Sequence, residues 1–230
     1  MTRYLFGFLV LPLLLTSCTR KDPVRAIDVD VCVYAATPSG IMAAVAVKRE
    51  GRSVVIVEPS RWVGGMLGAG LKPLQDCPNF NATGGMTREL LPTLGKASEP
   101  FVGSGRHDLN PLVIRENFLA LLKNHGIEVV YDHRVASCRK NGARIQSASF
   151  DLAPFDELGC PVADPVRKNH LTVTAKVFID ASYEGDLMPA AGVSFRTGRE
   201  STEAFSEDYA GVREPMEITL ISPFVIPGQS

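Results

Sequence analysis

VCVYAATPSGIMAAVAVKREGRSVVIVE, the stretch from Val31 to Glu58, decides the fold. It lies within and after an apolar, valine-rich run, Ile27 to Ala36, of the kind that forms a strand buried on both faces of a parallel sheet. Thr37 is placed to cap a helix whose first residue is Pro38, where a missing N–H does no harm. Small and apolar residues around Gly40, Ala43, Ala44 and Ala46 carry that helix to Gly51, its expected stop. Arg52 to Glu58 then reads as a second strand, centred on Val54-Val55-Ile56-Val57 and ending in a carboxylate. Together these elements make a βαβ unit, expected to be right-handed.

A turn of this kind binds a diphosphate for three reasons. The N–H groups opening the helix point outward, their partial positive charge favours anions, and small residues let a phosphate approach. The full pattern is G-x-G-x-x-G. Ala35, Thr37 and Gly40 stand at its glycine positions, so only the last glycine is kept. A small-residue turn occurs in many doubly wound folds, and Glu58 is what narrows the choice. An acid about twenty residues after the turn accepts the hydroxyl protons of an adenosine ribose and repels a 2′-phosphate. An exposed acid at a strand end is the competing reading. The segment Arg61-Trp62-Val63-Gly64-Gly65-Met66-Leu67 then separates flavin from nicotinamide. Glycines just after the ribose acid let the backbone come against the ribose and pyrophosphate of an extended FAD, which a plain NAD domain does not need.

Outward from this unit, the N-terminus has a different character. Arg3 supplies a positive start, Tyr4 to Leu15 is apolar, and Leu15-Thr16-Ser17-Cys18 follows. The run is too short for a bilayer span, which needs about 20 residues, and reads as an export signal over residues 1–17. The tetrapeptide resembles the lipobox of bacterial lipoproteins. That likeness implies lipidation of Cys18, a cell-envelope location and a membrane contact made through the lipid alone. An ordinary cleaved signal and a buried strand are the alternatives. Residues 18–26 form the linker that follows.

The chain has 230 residues, 45% of them hydrophobic, enough for one sizeable domain and the start of another. With 24 Lys+Arg against 25 Asp+Glu and no basic stripe, nucleic acid is excluded as an expected partner. Cys32, Cys77, Cys138 and Cys160 show no metal-ligand spacing, so no metal is expected, and Cys32 reads as core. Residues 61 to 110 are rich in Gly and Pro and read as loops over a site, with a helix at Thr87 to Leu94. Pro111 to His125 has apolar residues at Leu112, Ile114, Phe118, Leu119, Leu121 and Leu122, a helical pattern closed by Gly126. Ile127 to Tyr131 is a strand. Val135 to Phe150 and Leu171 to Ile179 carry strand-like stretches around a Pro-rich loop, an antiparallel excursion before the chain returns to the sheet. The expected class is therefore α/β, a Rossmann-like domain over 27–205 with a parallel sheet and an antiparallel excursion. Residues 206–230 read as the start of a second, substrate domain, and the strand-like run 218–227 as the edge of something incomplete.

Several motifs resemble those of a bacterial, often exported family of FAD-dependent oxidoreductases with a glutathione-reductase-like FAD-binding fold, many of them found among carbohydrate-processing proteins. They are Val33 to Gly40, Val57-Glu58-Pro59, Gly64 to Leu67, Gly84-Gly85-Met86-Thr87-Arg88-Glu89-Leu90, Phe178 to Leu187, Ala190 to Val193 and Gly198-Arg199-Glu200. The likeness runs over roughly residues 28 to 210, the N-terminal portion of such a protein. It implies that Ala35, Thr37, Pro38, Ser39 and Gly40 hold the pyrophosphate and Glu58 the ribose. It also implies that Gly64, Gly65 and Met66 lie at the flavin side, that the Val135 backbone meets adenine, and that Asp180, Ala181 and Ser182 close against the cofactor. Glu184 and Asp186 either orient that turn or face substrate. One departure stands out: the family has glycine where this chain has Ala35. If the position needs a positive φ, the Cβ costs about 1 kcal/mol.

The resemblance implies flavin-mediated hydride or electron transfer on a small, carbohydrate-related molecule. Arg88, as an anion clamp, and Glu89, as a base, are the catalytic candidates; Cys77 and His107 show no partner in the sequence. Two other classes compete. A nucleotide-binding fragment without turnover would account for the abrupt C-terminal run. An NAD-dependent dehydrogenase would account for Glu58 but not for Gly64-Gly65 or the segment from Asp180 to Leu187.

Overall fold

The computed structural model describes residues 24–70, 80–90, 93–95, 110–198, 200–207 and 210–211. The export signal, Cys18, Cys77, His107 and the run 218–227 lie outside the described residues. The chain divides into two compact units, Met1–Gly192 and Val193–Ser230.

The first unit is built on a six-stranded sheet in the order β3-β2-β1-β6-β5-β4. Its strands are β1 (Arg25–Tyr34), β2 (Val54–Val57), β3 (Glu128–Val130), β4 (His133–Asn141), β5 (Arg144–Leu152) and β6 (Arg167–Asp180). β1 pairs in parallel with β2 on one side and β6 on the other, and β2 pairs in parallel with β3. β5 pairs antiparallel with β4 on one side and β6 on the other. The expected class holds: a parallel Rossmann-like sheet with an antiparallel excursion. What read as one strand-like stretch from Val135 to Phe150 is a hairpin, turned at Gly142 with φ +58°.

Val31–Tyr34 of β1 and Val54–Val57 of β2 are apolar throughout because both faces of the sheet are covered there. Val31, Val33, Val54 and Ile56 pack on one side with Ile41, Phe118 and Leu122. Cys32, Tyr34, Val55 and Val57, one residue out of phase, pack on the other with Phe150, Leu171 and Val173. Cys32 is core, 1% exposed, and burial pushes its thiol up to about 12. Tyr34 stacks on Phe150 with ring centroids 6.0 Å apart.

The first face is sealed by α1 (Pro38–Arg49) and α4 (Pro111–Asn124). α1 starts at the Thr37 cap and ends with Gly51 at φ +69°, the left-handed stop that a Cβ would resist. α4 is capped by Asn110, whose side chain accepts the Leu112 N–H. Its buried stripe is narrower than the sequence pattern: Ile114, Phe118 and Leu122 are buried, whereas Leu112 is 57% exposed. One residue per turn is enough for a helix that touches the sheet along a single ridge. The short helices are α2 (Gly65–Gly68), α3 (Gly85–Leu90) and α5 (Leu187–Ala190). α3 thus starts two residues before the expected Thr87. In the second unit, α6 (Thr202–Phe205) is the described helix.

The end of β2 is stitched to the corner between β3 and β4. Glu58 N–H donates to the Val130 carbonyl at 2.8 Å, and the His133 and Asp132 N–H groups donate to Glu58 and Ser60 at 3.0 Å. That stitching fixes the backbone on which the Glu58 side chain stands.

Candidate functional site

The turn after β1 is tight enough to exclude side-chain atoms. Ala35 N–H donates to Val57 at 2.8 Å, and Ala35 itself sits at φ +76°, in the left-handed region. Thr37 Oγ1 accepts the Gly40 N–H at 3.2 Å and donates to the Ala181 carbonyl at 2.8 Å. Ser39 Oγ, 3.0 Å from Thr37 Oγ1, is therefore the donor in that contact. A Cβ built on Gly40 would lie 2.1 Å from the Ala35 carbonyl oxygen and 3.0 Å from the Ala181 Cβ. One glycine thus lets three segments, the ends of β1 and β6 and the start of α1, meet in one place.

Ala35 carries the strain anticipated from its departure from glycine. Replacing it by glycine removes a Cβ from a left-handed backbone, a relief of about 1 kcal/mol. Ala35→Gly should raise the Tm by roughly 2–4 °C, scored by thermal melts of the two proteins side by side. A lower Tm would mean that the turn does not hold its positive φ in solution.

Glu58 is 6% exposed. Its Oε2 accepts the Ala36 N–H at 2.6 Å, and its Oε1 accepts both the N–H and the hydroxyl of Ser60 at 2.8 and 2.6 Å. A carboxylate offers about four lone-pair sites, so one site on Oε2 remains for a further donor. The acid is not the exposed strand-end group that competed for its reading. It bolts the turn after β1 to the loop after β2 and keeps one acceptor site in reserve.

Gly64 and Gly65 have φ +89° and +47°, conformations that favour glycine at both positions. Gly64 N–H donates to Ala36 at 2.8 Å, tying this second glycine turn to the first. The Tyr183 hydroxyl accepts the Met66 N–H at 2.8 Å, and a Cβ on Gly65 would lie 2.3 Å from that oxygen. Trp62, next along, has the Arg115 guanidinium 4.0 Å above its ring centre.

The segment from Asp180 to Leu187 is organised by its own first residues. Asp180 Oδ1 accepts the N–H and hydroxyl of Ser182 at 3.0 and 2.7 Å, and Oδ2 accepts the Leu187 N–H at 2.8 Å. Ser182 Oγ in turn accepts the N–H groups of Gly185 and Asp186, each at 3.0 Å. Asp180 and Ser182 therefore set the turn, which frees Glu184 and Asp186 to face outward. Burial raises the Asp186 carboxyl above the usual range, and the nearby Glu184 and Asp180 carboxylates add to the effect.

These pieces meet in one cavity of about 650 Å³, a size usual for a small-molecule or cofactor site. Of the residues expected there, Ala35, Thr37, Glu58, Gly65, Met66 and Ser182 line it, as do Glu184 and Asp186. Pro38, Ser39, Gly40, Gly64, Asp180 and Ala181 do not line it; the contacts above of Gly40, Gly64, Asp180 and Ala181 hold the lining in place. Val135 is not part of the wall, and its N–H donates to the buried Tyr34 hydroxyl at 3.3 Å.

Arg88 and Glu89 lie away from the cavity. Glu89 pairs at 3.0 Å with Arg49, at the end of α1 opposite the phosphate turn, and Arg88 reaches the Thr83 carbonyl at 3.5 Å. Among the described residues there is no metal-binding group of His, Cys, Asp or Glu, and no helix long and apolar enough to cross a membrane. The sequence reading missed Ser60, Tyr183 and the wall formed by Phe155, Asp156, Glu157 and Gly159. The last four come from the Pro-rich loop between β5 and β6, whose only signal was its breakers.

A family model described as FAD dependent oxidoreductase matches residues 30–222. No curated protein matches the chain. Among solved structures it is similar to L-proline dehydrogenase from P. horikoshii, at 14% identity over 70% of this chain and 24% of that one, with a TM-score of 0.41. It is also similar to THI4 of Thermovibrio ammonificans (21% identity, 73% and 64% covered, TM-score 0.47). A third is 3-ketosteroid-delta4-(5alpha)-dehydrogenase from Rhodococcus jostii (15% identity, 72% and 47% covered, TM-score 0.42). The chain spans less than two thirds of the length of each of these proteins. The matched span contains every cavity residue named above, and the chain belongs to the FAD-dependent oxidoreductase family.

Proposed function

We propose that the cavity takes the ADP half of FAD and that the chain supplies this part of an FAD-dependent oxidoreductase acting on a small molecule. One observation carries the reading. Ala35 and Thr37 of the turn after β1 and the partly free carboxylate of Glu58 line the same cavity, which supports pyrophosphate and ribose as neighbours there. The fit is supported by Gly65 in the cavity wall, where a Cβ would lie 2.3 Å from the Tyr183 hydroxyl and displace the lining.

In this reading the Thr37 and Ser39 N–H groups at the start of α1 hold the pyrophosphate, aided by the helix dipole. Glu58 takes a ribose hydroxyl proton on its remaining Oε2 site, and Gly64, Gly65 and Met66 border the flavin side. When bound, the flavin supplies the hydride or electron transfer. The likeness to proteins found among carbohydrate-processing sets supports a carbohydrate-related substrate, and the lipobox-like segment supports attachment at Cys18 in the bacterial cell envelope. Against this stands a nucleotide-binding chain without turnover. It is favoured by the position of Arg88 and Glu89, the two catalytic candidates, away from the cavity.

Trp62 is the single tryptophan of the chain and lines the cavity. Tryptophan emission overlaps flavin absorption, so titrating FAD into the flavin-free protein should quench that emission sharply and leave protein-bound visible absorbance after desalting. NAD should do neither. A correctly folded protein whose Trp62 emission ignores FAD would sink the proposal. Bleaching of the bound flavin by a substrate panel under anaerobic conditions then separates an enzyme from a chain that only binds.

A further inference from the structure

The cavity is unusual for a site that must hold a diphosphate. Glu58, Asp156, Glu157, Glu184 and Asp186 line it with carboxylates, whereas Arg61 is its one lining guanidinium or ammonium among the described residues. Arg61 already faces Asp132, with its Nε 3.6 Å from Oδ1. Charge neutralisation by the protein is therefore scarce, and the phosphate oxygens depend on neutral donors.

The side-chain hydroxyls lining the cavity belong to Thr37, Ser60, Ser182 and Tyr183. Thr37 gives its proton to the Ala181 carbonyl at 2.8 Å. Ser60 gives its proton to Glu58 Oε1 at 2.6 Å, and Ser182 to Asp180 Oδ1 at 2.7 Å. Tyr183 differs. Its oxygen accepts the Met66 N–H at 2.8 Å, which fixes the phenol over the Gly65 turn, and its own proton has no acceptor among the described residues. The side chain is 53% exposed at the cavity wall, so this is not a core tyrosine waiting on a buried partner.

We propose that Tyr183 is a diphosphate-binding residue, its phenol O–H donating to a phosphate oxygen of the ADP half of the cofactor. The assignment rests on the FAD reading above. Gly65 is part of the same device: its Cβ position lies 2.3 Å from the phenol oxygen and 3.3 Å from Pro38 Cδ, so the missing Cβ lets the phenol reach Met66 N–H beside the first residue of α1. A single hydrogen bond to an anionic oxygen in a site this poor in cations is worth about a tenfold change in affinity.

The test is calorimetric titration of wild type and Tyr183→Phe with FAD, ADP and adenosine, after thermal melts confirm that both fold. The expected result is that Tyr183→Phe binds FAD and ADP about tenfold more weakly and binds adenosine as wild type does. That selectivity marks contact with phosphate. An equal loss for all three ligands would show that the phenol acts only by holding Met66 and α2, and would overturn the assignment. Unchanged affinities would overturn it as well, while leaving the FAD reading intact. Wild-type protein that binds neither FAD nor ADP overturns the FAD reading, and this assignment with it.

Discussion

Gly40→Ala should unfold the chain at a markedly lower temperature and abolish measurable retention of FAD. The added Cβ would stand 2.1 Å from the Ala35 carbonyl oxygen, roughly 1 Å inside van der Waals contact, and 3.0 Å from the Ala181 Cβ. The oxygen cannot swing away, because it shares a peptide plane with the Ala36 N–H, which is held on Glu58 Oε2 at 2.6 Å. The start of α1 must therefore move relative to β1 and β6. Overpacking of this kind costs about 3 kcal/mol, which lowers the Tm of a chain this size by roughly 6–12 °C. Moving the helix start also turns its N–H groups away from the phosphate. Losing about two charge-assisted bonds weakens FAD by roughly 100-fold or more. Gly84→Ala is the control: no atom lies within 4 Å of its Cβ position, and both readouts should stay at wild type. Equal behaviour of the two variants would mean that the turn is looser than its geometry.

The parts of this site visible in the sequence are those whose signals are local. The strand from Arg25 to Tyr34, the Thr37 cap, Pro38 and the Gly51 stop each depend on neighbours a few residues away, so their residue types announce them. The φ of Ala35 was legible for a different reason: a position reserved for glycine in similar proteins is a position with a backbone requirement. Glu58 was legible as an acid at the right distance, but not as a group already holding Ala36 and Ser60. Tyr183 was legible only as a member of the motif from Phe178 to Leu187, not in its contact. Its decisive contact joins residues 117 positions apart, and no periodicity in either segment encodes that meeting. The wall at Phe155 to Gly159 fails for the same reason, since a loop between antiparallel strands is placed by the sheet and not by its own pattern. The catalytic candidates show the converse. Arg88 and Glu89 have suitable chemistry, but α3 presents Glu89 to Arg49 at the wrong end of α1.

Glu58→Gln tests whether the buried acid is a bolt, a ligand or both. The carboxylate receives donors on both oxygens: Ala36 on Oε2, and the N–H and hydroxyl of Ser60 on Oε1. A glutamine has one acceptor oxygen, so whichever way its amide turns, its NH2 faces a backbone N–H. The Ser60 hydroxyl can rotate to accept; the backbone groups cannot. At least one buried donor is left unsatisfied, a cost of about 2 kcal/mol, or roughly 4–8 °C in Tm. That loss alone would make Glu58 structural. The ligand role is separable with ADP and 2′-deoxy-ADP, because the proposed contact is to a ribose hydroxyl. Wild type should prefer ADP by about tenfold, the worth of one hydrogen bond to a charged acceptor, and Glu58→Gln should bind ADP more weakly and lose that preference. If the variant discriminates between the two ligands as wild type does, the free site on Oε2 does not face the ribose. Its reserve would then serve only the turn.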